Sequence, residues 1–186
     1  MSMAAAWPLN LLSLDDWESL PEHESHRVEC VEGVLVVAPR PSISHQRVVF
    51  RLTRVLDASL PEHLVAVPEI DVLVDTEPLT MRSPDIVVMD RAAARRDLVR
   101  ASAADVLLVV EILSDGSRRT DRVTKLSEYA EAQIPEYWLL DPDTNRLLVH
   151  TLSQERYVLS HDCTGVVTLD VAGVDVSFDI STLGEL

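Results

Sequence analysis

The sequence predicts an α/β protein: a mixed β-sheet flanked by helices, with additional β-hairpins near its N-terminal and C-terminal ends. Short β-branched runs at residues 84–89, 105–113 and 135–140 read as strands, the first two buried on both faces. Between the second and third runs, residues 118–132 have helical spacing, which makes a central βαβ-like unit. Paired runs at 27–31 with 34–38, and at 146–152 with 156–159, read as hairpins.

In chain order, Ser13 is placed to cap a short helix over 13–20, with Asp15 and Asp16 as acids in its first turn. Pro21 ends it. Glu32-Gly33 turns the first hairpin, and Glu29 stands inside its first strand, either as an exposed-face acid or as part of a site. Residues 39–44 turn again, and Ser42 or Ser44 caps the next helix. There Val48, Leu52, Val55 and Leu56 make an apolar stripe, while Arg47, Arg51 and Arg54 share another face. That row is either a solvated face or a set of phosphate contacts. His45, at the start of the helix, divides the same way between an exposed residue and a site residue.

Strand segments follow at 64–67 and 70–74, with Pro68 at a bend or an edge. Residues 75–78 turn, and Pro84 stops the chain before the strand carrying Asp85. Residues 91–100, rich in Ala and Arg, form helix or loop, and 114–117 have loop chemistry. On the helix over 118–132, Val123, Leu126 and Ala130 are the apolar line; Arg118, Arg122, Lys125 and Tyr129 fall along a neighbouring face. After a turn at 141–144 and the second hairpin, residues 166–169 and 174–178 are β-like. No repeat or low-complexity linker interrupts the chain, so residues 1–186 are expected to form one domain.

The composition, 47% hydrophobic, argues against extensive disorder. Cys30 and Cys163 make no C-x-x-C pair, and both thiols are expected free in a reducing cytoplasm. Residues 1–14 make a poor signal peptide, and no apolar run approaches the ~18 residues of a membrane helix, so no membrane partner is expected. The formal net charge of −15 should weaken binding to a polyanion overall. Distribution works the other way: residues 40–54, 82–100 and 118–125 hold 13 of the 16 cations, leaving room for a basic cleft on an acidic body.

The chemistry concentrates in residues 84–125. Asp85 and Glu111 are acids on two apolar strands, and a carboxylate is costly to bury unless it is paired, hydrogen-bonded or bound to a cation. Of the 16 basic residues only Lys125 is a lysine, which points to a position needing a compact ammonium rather than a planar fork. Asp85, Glu111 and the carbonyl of Ile112 are oxygen donors suited to Mg²⁺ or Mn²⁺, with Lys125 orienting a water or stabilising phosphate charge. At ~3.3 Å per strand residue and ~1.5 Å per helix residue, Glu111 and Lys125 reach similar depth if the helix packs back on the sheet. A structural Glu111–Lys125 ion pair satisfies the same geometry.

Several segments carry a resemblance in order: Arg27-Val28-Glu29, Glu32-Gly33, Pro41-Ser42 with His45, Pro84-Asp85, the run from Val110 to Ser114, Asp121 with Lys125 and Tyr129, and Ile134-Pro135-Glu136-Tyr137-Trp138 on to Pro142. Over residues 10–180 the chain resembles the Uma-two family of restriction-type endonucleases, within the PD-(D/E)XK nuclease superfamily. The resemblance implies a restriction-endonuclease-like fold and metal-dependent cleavage of DNA. It implies metal binding by Asp85 and Glu111, a catalytic Lys125, and Glu29 as an accessory acid. His45 and Tyr129 would lie at the edge of the site, Arg47, Arg51, Arg118 and Arg122 are the arginines placed for DNA, and two copies would cut two strands as a homodimer. The superfamily's usual lysine position, two residues after the second acid, is Leu113; Asp115 and Val28 also depart from the common pattern. Two other functions compete: a nuclease-like fold used as a binding or assembly module, and hydrolysis of a small phosphate substrate.

Overall fold

Alternating apolar residues bounded by turns become strands. In a computed structural model, which describes residues 10–20, 27–38, 40–96, 99–114, 116–118 and 120–185, they are β1 (Arg27–Val31), β2 (Val34–Ala38), β3 (Leu64–Pro68), β4 (Asp71–Thr76), β5 (Leu79–Arg82), β6 (Ile86–Asp90), β7 (Arg100–Ser102), β8 (Val106–Ile112), β9 (Glu136–Asp141), β10 (Arg146–Ser153), β11 (Arg156–Thr164), β12 (Val166–Val171) and β13 (Val174–Asp179). The α-helices are α1 (Leu14–Glu18), α2 (Ile43–Ser59), α3 (Arg91–Arg96) and α4 (Lys125–Glu131). The roles expected of Pro21, Pro39 and Asp115 lie outside the described residues.

Helix starts follow their caps. Ser13 and Asp16 form a reciprocal capping box on α1. At α2 it is Ser42, not Ser44, whose hydroxyl accepts the His45 N–H at 3.2 Å.

Six strands make a mixed sheet in the order β11-β10-β9-β8-β6-β3. Within it β6 runs antiparallel to β8, and β8 runs parallel to β9 through the expected crossover by way of α4. Pro68 ends β3, the edge strand, where its missing N–H costs no ladder bond. Val48, Leu52 and Leu56 of α2 and the β12–β13 hairpin cover one face, over Ile86, Val110 and Trp138. On the other face Val87, Val109 and Tyr137 pack with Ala93, Tyr129, Ala130 and Val72. Strand alternation puts Glu111 on this second side, in phase with Val109 and Leu113.

A second sheet runs β2-β1-β5-β4-β7. The N-terminal hairpin is therefore not an appendage but two strands of a five-stranded layer. Strands β5 and β7 were not expected: four and three residues are too short to show a period, and pairing with β1 and β4 supplies what pattern does not. The turn expected at 75–78 is also shorter, because β4 continues to Thr76.

The helix over 118–132 needs two corrections. Residues Thr120–Thr124 form a π-helical turn that leads into α4. Val123, expected in the apolar line, is 63% exposed, while Asp121, Lys125 and Tyr129 are buried. The face that pairs charges has taken the inward position. Among the described residues no helix is long and apolar enough to cross a membrane.

Candidate active site

Asp85 lies one residue before β6 rather than within it, held at the strand's entry by Pro84. The register that sets Ile86 opposite Val110 brings Asp85 to the end of β8. There the Ile112 N–H donates to its Oδ2 at 2.7 Å, and Arg27, opening β1, donates from Nη1 to Oδ1 at 2.8 Å. His45 Nε2, from the first turn of α2, is 3.2 Å from the same Oδ2 and 3.2 Å from the Ile112 carbonyl oxygen. Asp85 is 2% exposed. Burial pushes its carboxyl up, but the His45 hydrogen bond and the Arg27 charge outweigh this and hold it down at about 2. Burial likewise opposes the charged form of His45, and the bond to Asp85 raises it on balance.

Glu111 is equally buried, and its Oε1 accepts from Lys125 Nζ at 2.7 Å and from the Tyr129 hydroxyl at 3.2 Å. Burial pushes its carboxyl up to about 8, against the pull of Lys125 and helped by the charges of Asp85 and Asp121. Lys125 is raised as well: burial opposes its charge, but Glu111, Glu29 and Asp121 outweigh it. The two shifts point to opposite states of one pair. The ammonium is the firmer charge, because carboxylates surround it at 2.7, 3.2 and 3.6 Å, whereas Glu111 has like charges beside it.

Glu29 is 8% exposed, so it is not an exposed-face acid. It accepts from Arg82 Nη1 at 2.8 Å and from the Ser83 N–H at 3.1 Å. Despite burial, the charges of Lys125 and Arg82 lower its carboxyl. Arg82 also forks onto Glu128 with two contacts of 2.7 Å.

Glu29, Asp85, Glu111, Asp121 and Lys125 line one cavity of about 450 Å³, and His45 and the end of β8 close its side. Tyr129 stands behind Glu111. The expected acids, lysine, histidine and tyrosine thus come together. The four arginines placed for DNA do not line this cavity. Arg47 and Arg51 donate to the carbonyls of Glu185 and Thr182, fastening α2 to the C-terminal segment. Arg118 reaches Asp141 and Asp143, and Arg122 lies 3.7 Å from Asp141.

The sequence assigns no role in the site to three of its members. Arg82 sits in the unrecognised β5. Arg27 was visible only as the cation heading the strand of Glu29. Asp121 had a usable signal, its i,i+4 spacing to Lys125.

Among the described residues no three acid or histidine side chains converge as a ready metal site. The donor chemistry nevertheless fits a hard divalent cation. Four buried carboxyl groups stand among Arg27, Arg82 and Lys125, and Asp121, whose Oδ1 is 3.2 Å from Lys125 Nζ, makes no side-chain hydrogen bond among the described residues.

A mixed sheet with two acids at one end of neighbouring strands, and a lysine on the crossover helix, defines a restriction-endonuclease-like fold. The chain belongs to the Uma2 family, described as "Putative restriction endonuclease", whose model matches residues 14–181. Its structure is similar to the crystal structure of "a putative nuclease belonging to DUF820" from Anabaena variabilis ATCC 29413. The TM-score is 0.71 at 20% identity, covering 93% of this chain and 97% of that one, a likeness of fold. No curated protein matches.

Proposed function

We propose that this chain is a divalent-metal-dependent endonuclease that hydrolyses phosphodiester bonds in DNA. The observation that supports it most is the meeting of Asp85, Glu111 and Lys125 in one cavity, with Nζ 2.7 Å from Glu111 Oε1. Asp85, Glu111 and the Ile112 carbonyl would hold Mg²⁺ or Mn²⁺. When bound, such an ion lowers the pKa of water toward neutrality and offsets charge on the phosphate.

The chain's own residues do the rest. Lys125 keeps its proton and places a point charge where the phosphate gains negative charge. Glu29 and Asp121 hold that ammonium from two further sides, and Tyr129 fixes the Oε1 edge of Glu111. His45 and the Ile112 N–H orient Asp85, leaving its carboxylate ionised at neutral pH. In solution the protein would act as a cytoplasmic homodimer, one copy per strand of the duplex.

The test is incubation with supercoiled plasmid in Mg²⁺, in Mn²⁺ and in chelator. Nicking or linearisation with metal, abolished by chelator, is the expected result. One observation favours a second reading, a binding or assembly module with little turnover: Asp85, Glu29 and Glu111 each already have a cationic partner on a chain of net charge −15. Intact plasmid under every metal, with DNA bound, would select it.

A further inference from the structure

Arg27 carries a donor with no acceptor among the described residues. Its Nη1 donates to Asp85 Oδ1 at 2.8 Å, while Nη2 is buried with no hydrogen-bond partner. A guanidinium presents its donors as a planar fork that matches two oxygens of a carboxylate or phosphate. Asp85 cannot take both prongs, because its Oδ2 is turned to the Ile112 N–H and to His45. A buried donor left without a partner is costly, a poor arrangement for a purely structural ion pair.

The position of Arg27 says what the second prong is for. The side chain is 20% exposed and stands where the catalytic cavity meets a second cavity of about 400 Å³. Exposed Arg40 lines both cavities as well. The cations first expected to meet phosphate are engaged elsewhere, Arg47 and Arg51 on backbone carbonyls and Arg118 on Asp141 and Asp143.

We propose that Arg27 and Arg40 form the phosphate-binding site of this centre: Nη2 of Arg27 takes an oxygen of the phosphodiester to be cut while Nη1 stays on Asp85, and Arg40 takes the next phosphate over the adjoining cavity. The proposal rests on the nuclease reading. It makes Arg27 the residue that ties the position of the substrate to that of the metal-binding aspartate, and it moves DNA recognition from the arginines of α2 and of the segment leading into α4 to the rim of the cavity.

The test measures binding, not turnover. Fluorescence anisotropy of a labelled short DNA duplex, in Ca²⁺ and over a range of salt, is compared for wild type, Arg27→Met, Arg27→Lys, Arg40→Ala and Arg47→Ala, with Mn²⁺ calorimetry on the same proteins. Arg27→Met should lose about tenfold in DNA affinity or more, the ~1.4 kcal/mol scale of one charge-assisted hydrogen bond. Its dependence of log Kd on log salt should fall by about one phosphate contact. Arg27→Lys should recover only part of the affinity, Arg40→Ala should lose less than Arg27→Met, and Arg47→Ala should match wild type. Mn²⁺ affinity should not fall in any of them.

Unchanged DNA affinity and salt slope in Arg27→Met overturns the proposal, as does a parallel loss of Mn²⁺ affinity. If Arg27→Met does not fold, Arg27→Lys decides, and wild-type affinity in that variant overturns it. Wild type that cleaves plasmid while Arg27→Met binds DNA normally removes only the phosphate site. Wild type that neither binds nor cleaves DNA removes the nuclease reading with it.

Discussion

Lys125 Nζ and Glu111 Oε1 lie 2.7 Å apart although fourteen residues separate them in the chain. Strand β8 delivers the acid, the π-helical turn and α4 deliver the ammonium, and both are buried. Catalysis and simple charge neutralisation make different demands on this pair, and substitutions separate them. Lys125→Met should give a folded protein that binds Mn²⁺ and does not cleave plasmid, with Lys125→Arg restoring little. If the lysine only neutralises Glu111, its loss instead leaves that carboxyl buried and unpaired, at ~3–5 kcal/mol, recovered on adding Glu111→Gln. Cleavage at the wild-type rate by folded Lys125→Met would remove the lysine from the mechanism.

Asp85→Asn and Glu111→Gln should each weaken Mn²⁺ binding, since an amide keeps the shape but not the charge that holds a hard cation. Saturating Mn²⁺ should raise the Tm of wild type, by about 2.7 kcal/mol of stability at a hundredfold excess over Kd. The double variant should show almost none of that gain. Equal shifts in both proteins would place the metal elsewhere on the acidic surface.

The raised carboxyl of Glu111 has a pH signature. In the unfolded chain this carboxyl ionises near its ordinary value of 4.5, whereas in the fold burial keeps the proton on up to about 8. The folded state binds the extra proton between those values, so its contribution is full below about 4.5 and is lost as pH rises through about 8. In metal-free buffer the Tm of wild type minus that of Glu111→Gln should therefore fall as pH is raised from 4.5 to 8. A difference independent of pH would mean that Glu111 is ionised throughout.

Arg82 is expected to matter for folding more than for chemistry. It is 2% exposed and holds both Glu29 and Glu128. Arg82→Met leaves two acids without their fork and should cost ~3–5 kcal/mol, read from urea denaturation. Restoring the balance with Glu128→Gln should recover part of it. A loss below about 1 kcal/mol would show that solvent or Lys125 replaces the guanidinium.

Local chemistry made much of this protein legible before any coordinates. Ser13 and Ser42 cap helices because their hydroxyls satisfy N–H groups within three residues. The apolar runs around Asp85 and Glu111 are strands because they are short and rich in β-branched residues, which pack well on both faces of a covered sheet. An acid in each run, and one lysine on the crossover, are groups that the fold brings to one cavity. What distance in sequence concealed was the company those residues keep. No period reveals β5 or β7, whose few residues are strands only because β1 and β4 pair with them. Arg27 and Arg82 reach Asp85 and Glu29 across separations of 58 and 53 residues, and only the register of two sheets decides that. The arginines of α2, and those of the segment leading into α4, share a face by spacing, yet carbonyls near residue 185 and acids at the end of β9 and in the loop after it engage them. Residue type and spacing determine which groups are available for chemistry; packing determines which of them are spent on one another and which donor, on Arg27, is left over.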